Sequence, residues 1–253
     1  MRKCMASRAI KLFSMGFIEK GVLNVSQEVS NSSLHHAILM FLVKHGFTPD
    51  VTELSGILGA DQEDVILGLQ ALQEYHGVVL HPNSSKIWVI HPFSTAPTNF
   101  VVRSAQGVWW GNCAWCSLGI AALLNQDVTI TTTLGAKGEQ VVLRIKDGAL
   151  IDSDYVVHFP VPMRHAWDNV IYTCSVMLLF KTQSEVDLWC AAHRIPKGDV
   201  QPLSRIWEFS KAWYGNHLNP SWTKWTTEQA AQLFKQFDLK GQVWDIPSSQ
   251  GRF

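Results

Sequence analysis

Between residues 34 and 44 the apolar side chains Ile38, Leu39, Leu42 and Val43 recur at three- and four-residue spacing, which predicts an amphipathic helix. A second short helix is expected over 52–58, after Pro49 and Asp50. Asp61 then starts a third, with Val65, Ile66, Leu69 and Leu72 on its apolar face. Two apolar runs, 78–81 and 87–90, flank Pro82-Asn83-Ser84-Ser85 and read as a hairpin. Three helices followed by a hairpin predict a winged-helix-like unit over 34–95.

Beyond it the period changes. A connector over 91–98 leads into a strand at 99–102, and 114–124, apolar on most faces, predicts a buried helix. Strands are expected over 128–133, 141–145 and 155–159, where β-branched or alternating runs lie between Gly and Asp turns. The run 170–181 alternates so that Val170, Tyr172, Cys174, Val176 and Leu178 share a face, which predicts a central strand covered on both sides. Ser184-Glu185-Val186-Asp187 matches a capping box opening a helix to His193, and helices follow over 202–214 and 226–237, the last with Thr226 and Gln229 spaced as a capping box. The expected organisation is an N-terminal arm and linker (1–33), the winged-helix-like domain (34–95), a sheet domain (96–195) and a C-terminal helical extension (196–253). The fold class is α+β, with the three-helix domain packed on a mixed β-sheet domain with flanking helices.

Composition narrows the partners. Of 253 residues, 47% are hydrophobic and 17% charged, the profile of a globular protein. Basic and acidic residues number 21 each, so no general electrostatic attraction to nucleic acid or an anionic membrane is expected. The third helix carries Asp61, Glu63, Asp64 and Glu74, and no Lys or Arg stands between Lys44 and Lys86, so it would be repelled by phosphates in a DNA groove. No apolar run approaches the ~20 residues of a membrane-spanning helix. Arg2, Lys3, Arg8 and Lys11 mark a basic arm at the start. Cysteines occur at 4, 113, 116, 174 and 190, too sparse for a disulfide framework, and read as reduced thiols of a cytoplasmic protein. Eight of the 11 tryptophans fall at or after Trp115, which predicts an aromatic-rich core or pocket in that part.

Two of the cysteines carry the candidate chemistry. Cys113 and Cys116 stand three residues apart where the buried helix begins, so their sulfurs can share a metal or form a disulfide. A thiol at a helix N-terminus has its anion stabilised by the dipole and the free N–H groups. Three other readings use the same residues: buried thiols without chemistry, a zinc site closed by Cys174 with His158 or water, and a redox dithiol. Cys190 reads as core and Cys4 as a surface thiol. Trp109, Trp110, Trp115 and Phe159 are candidates for lining an apolar pocket.

The segment Ala114-Trp115-Cys116, the later Cys174 in the apolar run 170–180, and Trp189 in the acidic helix that follows resemble the organomercurial (alkylmercury) lyases over roughly 34–195. The resemblance implies a thiolate mechanism, in which Cys116 and Cys174 take mercury from a carbon-bound substrate, with Cys113 joining them or replacing a missing acid. Cys113, Cys116 and Cys174 are then the metal ligands, no cofactor is required, and Hg(II) or another soft metal is substrate or product. The partner is a small organometal or an apolar ligand. In the family a Cys-x-x-Asp pair accompanies the later cysteine, and the carboxylate handles the proton delivered to the leaving carbon. Here Gly119 holds that position when Cys116 is the first cysteine, and Cys116 holds it when Cys113 is. Losing the acid costs on the order of 10²–10⁴-fold unless another group replaces it. Asp168 and His158 are the candidate substitutes. The alternative from a different class is a non-catalytic soft-metal or small-ligand binding protein that retains the fold.

Overall fold

The computed structural model describes residues 29–247 and Phe253; Cys4 and the basic residues of the expected N-terminal arm lie outside them. Helices α1 (Asn31–His45), α2 (Val51–Leu58) and α3 (Gln62–Glu74) form as the periodicity predicts. Ser30 caps α1, and Asp50 with Glu53 closes a capping box on α2. The hairpin pairs β1 (Val79–Leu80) with β2 (Ile87–Ile90).

From the hairpin the chain runs into the main sheet without a break. The next elements are β3 (Phe93–Ser94), β4 (Phe100–Arg103), β5 (Val108–Gly111), α4 (Ala114–Leu124), β6 (Val128–Thr133), β7 (Gln140–Lys146) and β8 (Ala149–Leu150). They form an eight-stranded sheet ordered β1-β2-β3-β5-β4-β6-β7-β8. A smaller sheet, β10-β9-β11, is built from β9 (Val156–Phe159), β10 (Leu179–Phe180) and β11 (Asp199–Pro202). The remaining helices are α5 (Val170–Val176), α6 (Gln183–His193), α7 (Leu203–Tyr214) and α8 (Thr227–Gln236). The α+β architecture stands, and the sheet expected as mixed pairs antiparallel along every described ladder. Most neighbouring strands are joined by turns too short for a parallel crossover.

One of the longer connections positions the site. Helix α4 carries the chain from β5 across β4 to β6, so it lies on the sheet face, with α7 packed on its other side. A helix covered on both sides must be apolar all round, and all but one of its 11 residues are buried. β6 and β7 alternate buried and more exposed positions, as one-sided burial requires. Gly111, at the end of β5, lies so close to α4 that a Cβ there would be 2.7 Å from Ser117 Cα, which makes glycine necessary at this junction.

Two expectations are corrected. The run 170–181 is not a central strand: it divides into α5 and the two-residue β10. Asn169 caps α5 by accepting a hydrogen bond from the Tyr172 N–H at 2.9 Å, and this cap with the local packing overrides the β propensity of the run. Helix α6 is capped by Thr182, which accepts from Glu185 N–H, rather than by Ser184. The Thr226–Gln229 capping box forms as expected.

Candidate thiol site

Cys113 is the N-cap of α4, in extended conformation, and its sulfur accepts a hydrogen bond from the Cys116 N–H at 3.3 Å. Cys116 therefore sits in the first turn, where the free N–H groups and the helix dipole favour an anion. Cys174 arrives from the C-terminal half of α5, and the Ala114 N–H bonds to Met177 O at 3.1 Å, tying the end of α5 to the start of α4. All three thiols are buried and none is in a disulfide.

A cavity of about 50 Å³ opens where these elements meet. Cys113, Cys116, Cys174, His91, Tyr214 and Lys224 supply its polar lining with His217 and Thr173, and Trp115, Trp167 and Trp213 supply much of its apolar wall. His91 Nε2 lies 3.9 Å from Cys174 Sγ, and the donor atoms of His91, Cys116 and Cys174 all fall within 4.8 Å of one another. The Tyr214 hydroxyl is 3.7 Å from Cys116 Sγ, and Cys113 Sγ is 3.3 Å from Met177 Sδ.

The three thiols are electrostatically unlike. Burial alone would push Cys116 up, but hydrogen bonds from Cys113, Cys174 and His91 outweigh it and hold this thiol well below its ordinary value. Cys113 goes the other way, raised by burial and by its partner Cys116. Cys174 is raised by its hydrogen bonds with Cys113 and Cys116 and then by burial. Of the three, only Cys116 is held low.

Of the residues named from sequence, Cys113, Cys116, Cys174 and Trp115 come together here. Cys190 does not: its sulfur is 3.5 Å from His158 Nε2 in a separate buried contact. His158 shares a hydrogen bond with Lys197 O at 2.7 Å and does not line the cavity, so neither the zinc closure nor the proton role expected of it forms. Asp168 faces outward in an ion pair with His165 at 2.8 Å, its side chain 70% exposed, as a polar turn residue does. Trp109 donates its indole N–H to Leu42 O at 3.2 Å, and neither it, Trp110 nor Phe159 lines the cavity. His91, Tyr214, His217 and Lys224 were missed, because only the fold brings them to the cysteines. His91 in the connector offered no metal-ligand spacing as a signal.

Residues 93–215 match the family described as alkylmercury lyase. Over this stretch the chain is similar to the alkylmercury lyases. The cysteine-bearing elements α4 and α5 and the Tyr214 ring all lie inside the matched span, whereas His91, His217 and Lys224 lie outside it. Among solved structures, the mercury-bound form of MerB2 superposes with a TM-score of 0.59 at 18% identity, covering 74% of this chain and 89% of that one. At that identity the likeness is one of fold. A comparison with curated proteins finds none that matches.

Gly119 stands where the lyase acid is expected when Cys116 is the first cysteine, and its surroundings are closed. A Cβ built there would lie 2.5 Å from Tyr214 Cδ2 and 3.0 Å from Pro92 Cβ. Among the described residues no Asp or Glu side chain lines the cavity.

Proposed function

We propose that this chain captures a carbon-bound soft metal, an organomercurial above all, on Cys116 and Cys174 and releases the organic group by protonolysis, retaining Hg(II) between the thiolates. The observation that carries the reading is the convergence of three cysteine sulfurs and His91 in one small, largely apolar cavity. Soft thiolates select soft metals, and Cys116, the thiol held low, ionises most readily of the three.

In the first step Cys116 displaces the labile ligand of the mercurial and forms a mercury–sulfur bond. Cys174 then loses its proton, for which His91 Nε2 at 3.9 Å is the neighbouring acceptor, and becomes the second sulfur ligand. The added electron density on mercury weakens the carbon–mercury bond. A proton is delivered to the departing carbon, and the hydrocarbon leaves. Cys113 holds the helix start through its N-cap contact and can take mercury from either neighbour. Nothing in this scheme requires a cofactor.

The test is incubation with a simple alkylmercurial, measuring hydrocarbon release and retained mercury together. The lyase reading expects the two in equal amounts. The second reading, a binding protein that keeps mercury without cleaving it, is favoured by one observation, the absence of any Asp or Glu side chain from the described cavity lining. Retained mercury with no hydrocarbon would decide for it.

A further inference from the structure

Protonolysis needs an acid, and the position where the lyases carry one is closed by the Tyr214 ring. We propose that Lys224, supplied by the segment between α7 and α8, is the proton donor to the departing carbon. The proposal rests on the carbon–mercury lyase reading above.

Lys224 lines the cavity that holds the thiols of Cys113, Cys116 and Cys174. It is 7% exposed, and its ammonium lies 4.1 Å from the centroid of the Trp167 ring on the cavity wall. The face of an aromatic ring attracts a cation, so Trp167 helps to hold the amine at the cavity wall.

The other titratable groups around it serve less well. Burial raises Tyr214 well above its ordinary value, and giving up its proton would leave a phenolate in an apolar wall. Burial pushes His217 down to about 3, so near neutrality it is an uncharged imidazole. His35, on α1, is likewise held low by burial and then by His217 and Lys224. His91 is already engaged with the thiols. Lys224 differs in sign: burial disfavours its charged form and brings it down to about 7, while the Cys116 thiolate pulls the other way. It therefore carries a proton near neutrality and becomes a neutral amine on releasing it, which the apolar surroundings favour.

The step balances. With mercury bound by Cys116 and the Cys174 thiolate closing on it, the carbon–mercury bond breaks, and its electron pair takes the proton from the Lys224 ammonium. The products are the hydrocarbon, mercury held by two thiolates, and a neutral amine that water re-protonates. No oxidant or reductant enters.

The experiment compares wild type with Lys224→Met and Lys224→Arg in the full chain, using methylmercury as probe. Mercury retention by mass spectrometry and methane release in a single turnover are followed from pH 5.5 to 9. The expected result is that both variants retain mercury as wild type does, while methane release falls by on the order of 10²-fold or more. Arginine keeps the charge but not a transferable proton, so it does not rescue. In wild type, release falls as pH rises above the amine's range, and that alkaline limb is missing from both variants. Methane release at the wild-type rate in either variant, or a wild-type profile with no alkaline fall, overturns the proposal. If Lys224→Met does not fold, Lys224→Arg and the wild-type profile decide. Wild type that retains mercury but yields no methane overturns the lyase reading itself and this proposal with it, a result distinct from failure in the variants alone.

Discussion

The ring of Tyr214 occupies the space in front of Gly119: a Cβ at position 119 would lie 2.5 Å from Tyr214 Cδ2 and 2.7 Å from Cε2, and the Tyr214 hydroxyl reaches to 3.7 Å from Cys116 Sγ. Glycine at 119 and tyrosine at 214 are thus one steric unit. Gly119→Asp does not simply restore a Cys-x-x-Asp pair; it drives a carboxylate into an aromatic ring. We expect this variant to lose about 1–3 kcal/mol of stability through overpacking. A double-mutant cycle with Tyr214→Ala should then show the two changes coupled by about 1 kcal/mol or more in denaturant melts. Additive effects would mean that the two residues do not compete for the same volume.

Cys116 and Cys190 are both buried thiols, but only Cys116 faces the cavity. Cys116→Ser is expected to lower alkylmercury capture at equilibrium by tenfold or more, on the order of the 1.4 kcal/mol per decade that loss of one soft ligand readily exceeds. Cys190→Ser should leave capture unchanged. Equal mercury loading of the two variants by mass spectrometry would remove Cys116 from the site.

Two buried bases give the fold a pH dependence of one sign. Burial lowers Lys224 to about 7 and His217 to about 3, each below its ordinary value. In the folded state the neutral form is favoured, so stability contributed by these groups is greatest above the unfolded values and is lost as pH falls. The Lys224 loss develops between roughly 10.4 and 7, and the His217 loss between roughly 6.5 and 3. Lys224→Met is therefore expected to raise Tm, and to raise it more at pH 7 than at pH 10. A variant that gains more at pH 10 would show that the amine is not desolvated in the fold.

Asn169 holds the start of α5 through the Tyr172 N–H, five residues before Cys174. Asn169→Ala should cost about 0.5–2 kcal/mol, the usual range for a lost N-cap. Because α5 carries Cys174, the same variant should weaken mercury retention as well as stability. Retention unchanged in a destabilised protein would show that the cap serves the fold alone.

Sequence alone determined the elements whose residues declare their period. α4 occupies 114–124 and β6 occupies 128–133, as predicted, because an all-apolar helix start and a β-branched alternating run leave few other ways to bury those side chains. The cysteines were legible too, since Cys113 and Cys116 announce themselves by spacing and Cys174 by family resemblance. The segment around Cys174 was not, because Val, Ile and Tyr favour a strand while a capped seven-residue helix is too short to display a helical period. Tertiary structure alone decided the remainder of the site. His91 reaches Cys174 across 83 residues and Tyr214 reaches Cys116 across 98, and no local pattern encodes such contacts. They arise because α4 crosses the sheet beneath α7, and that packing brings distant segments to the helix start. The opposite shifts of the three thiols follow from the same enclosure, since burial and mutual hydrogen bonds act only once the chain has closed around them.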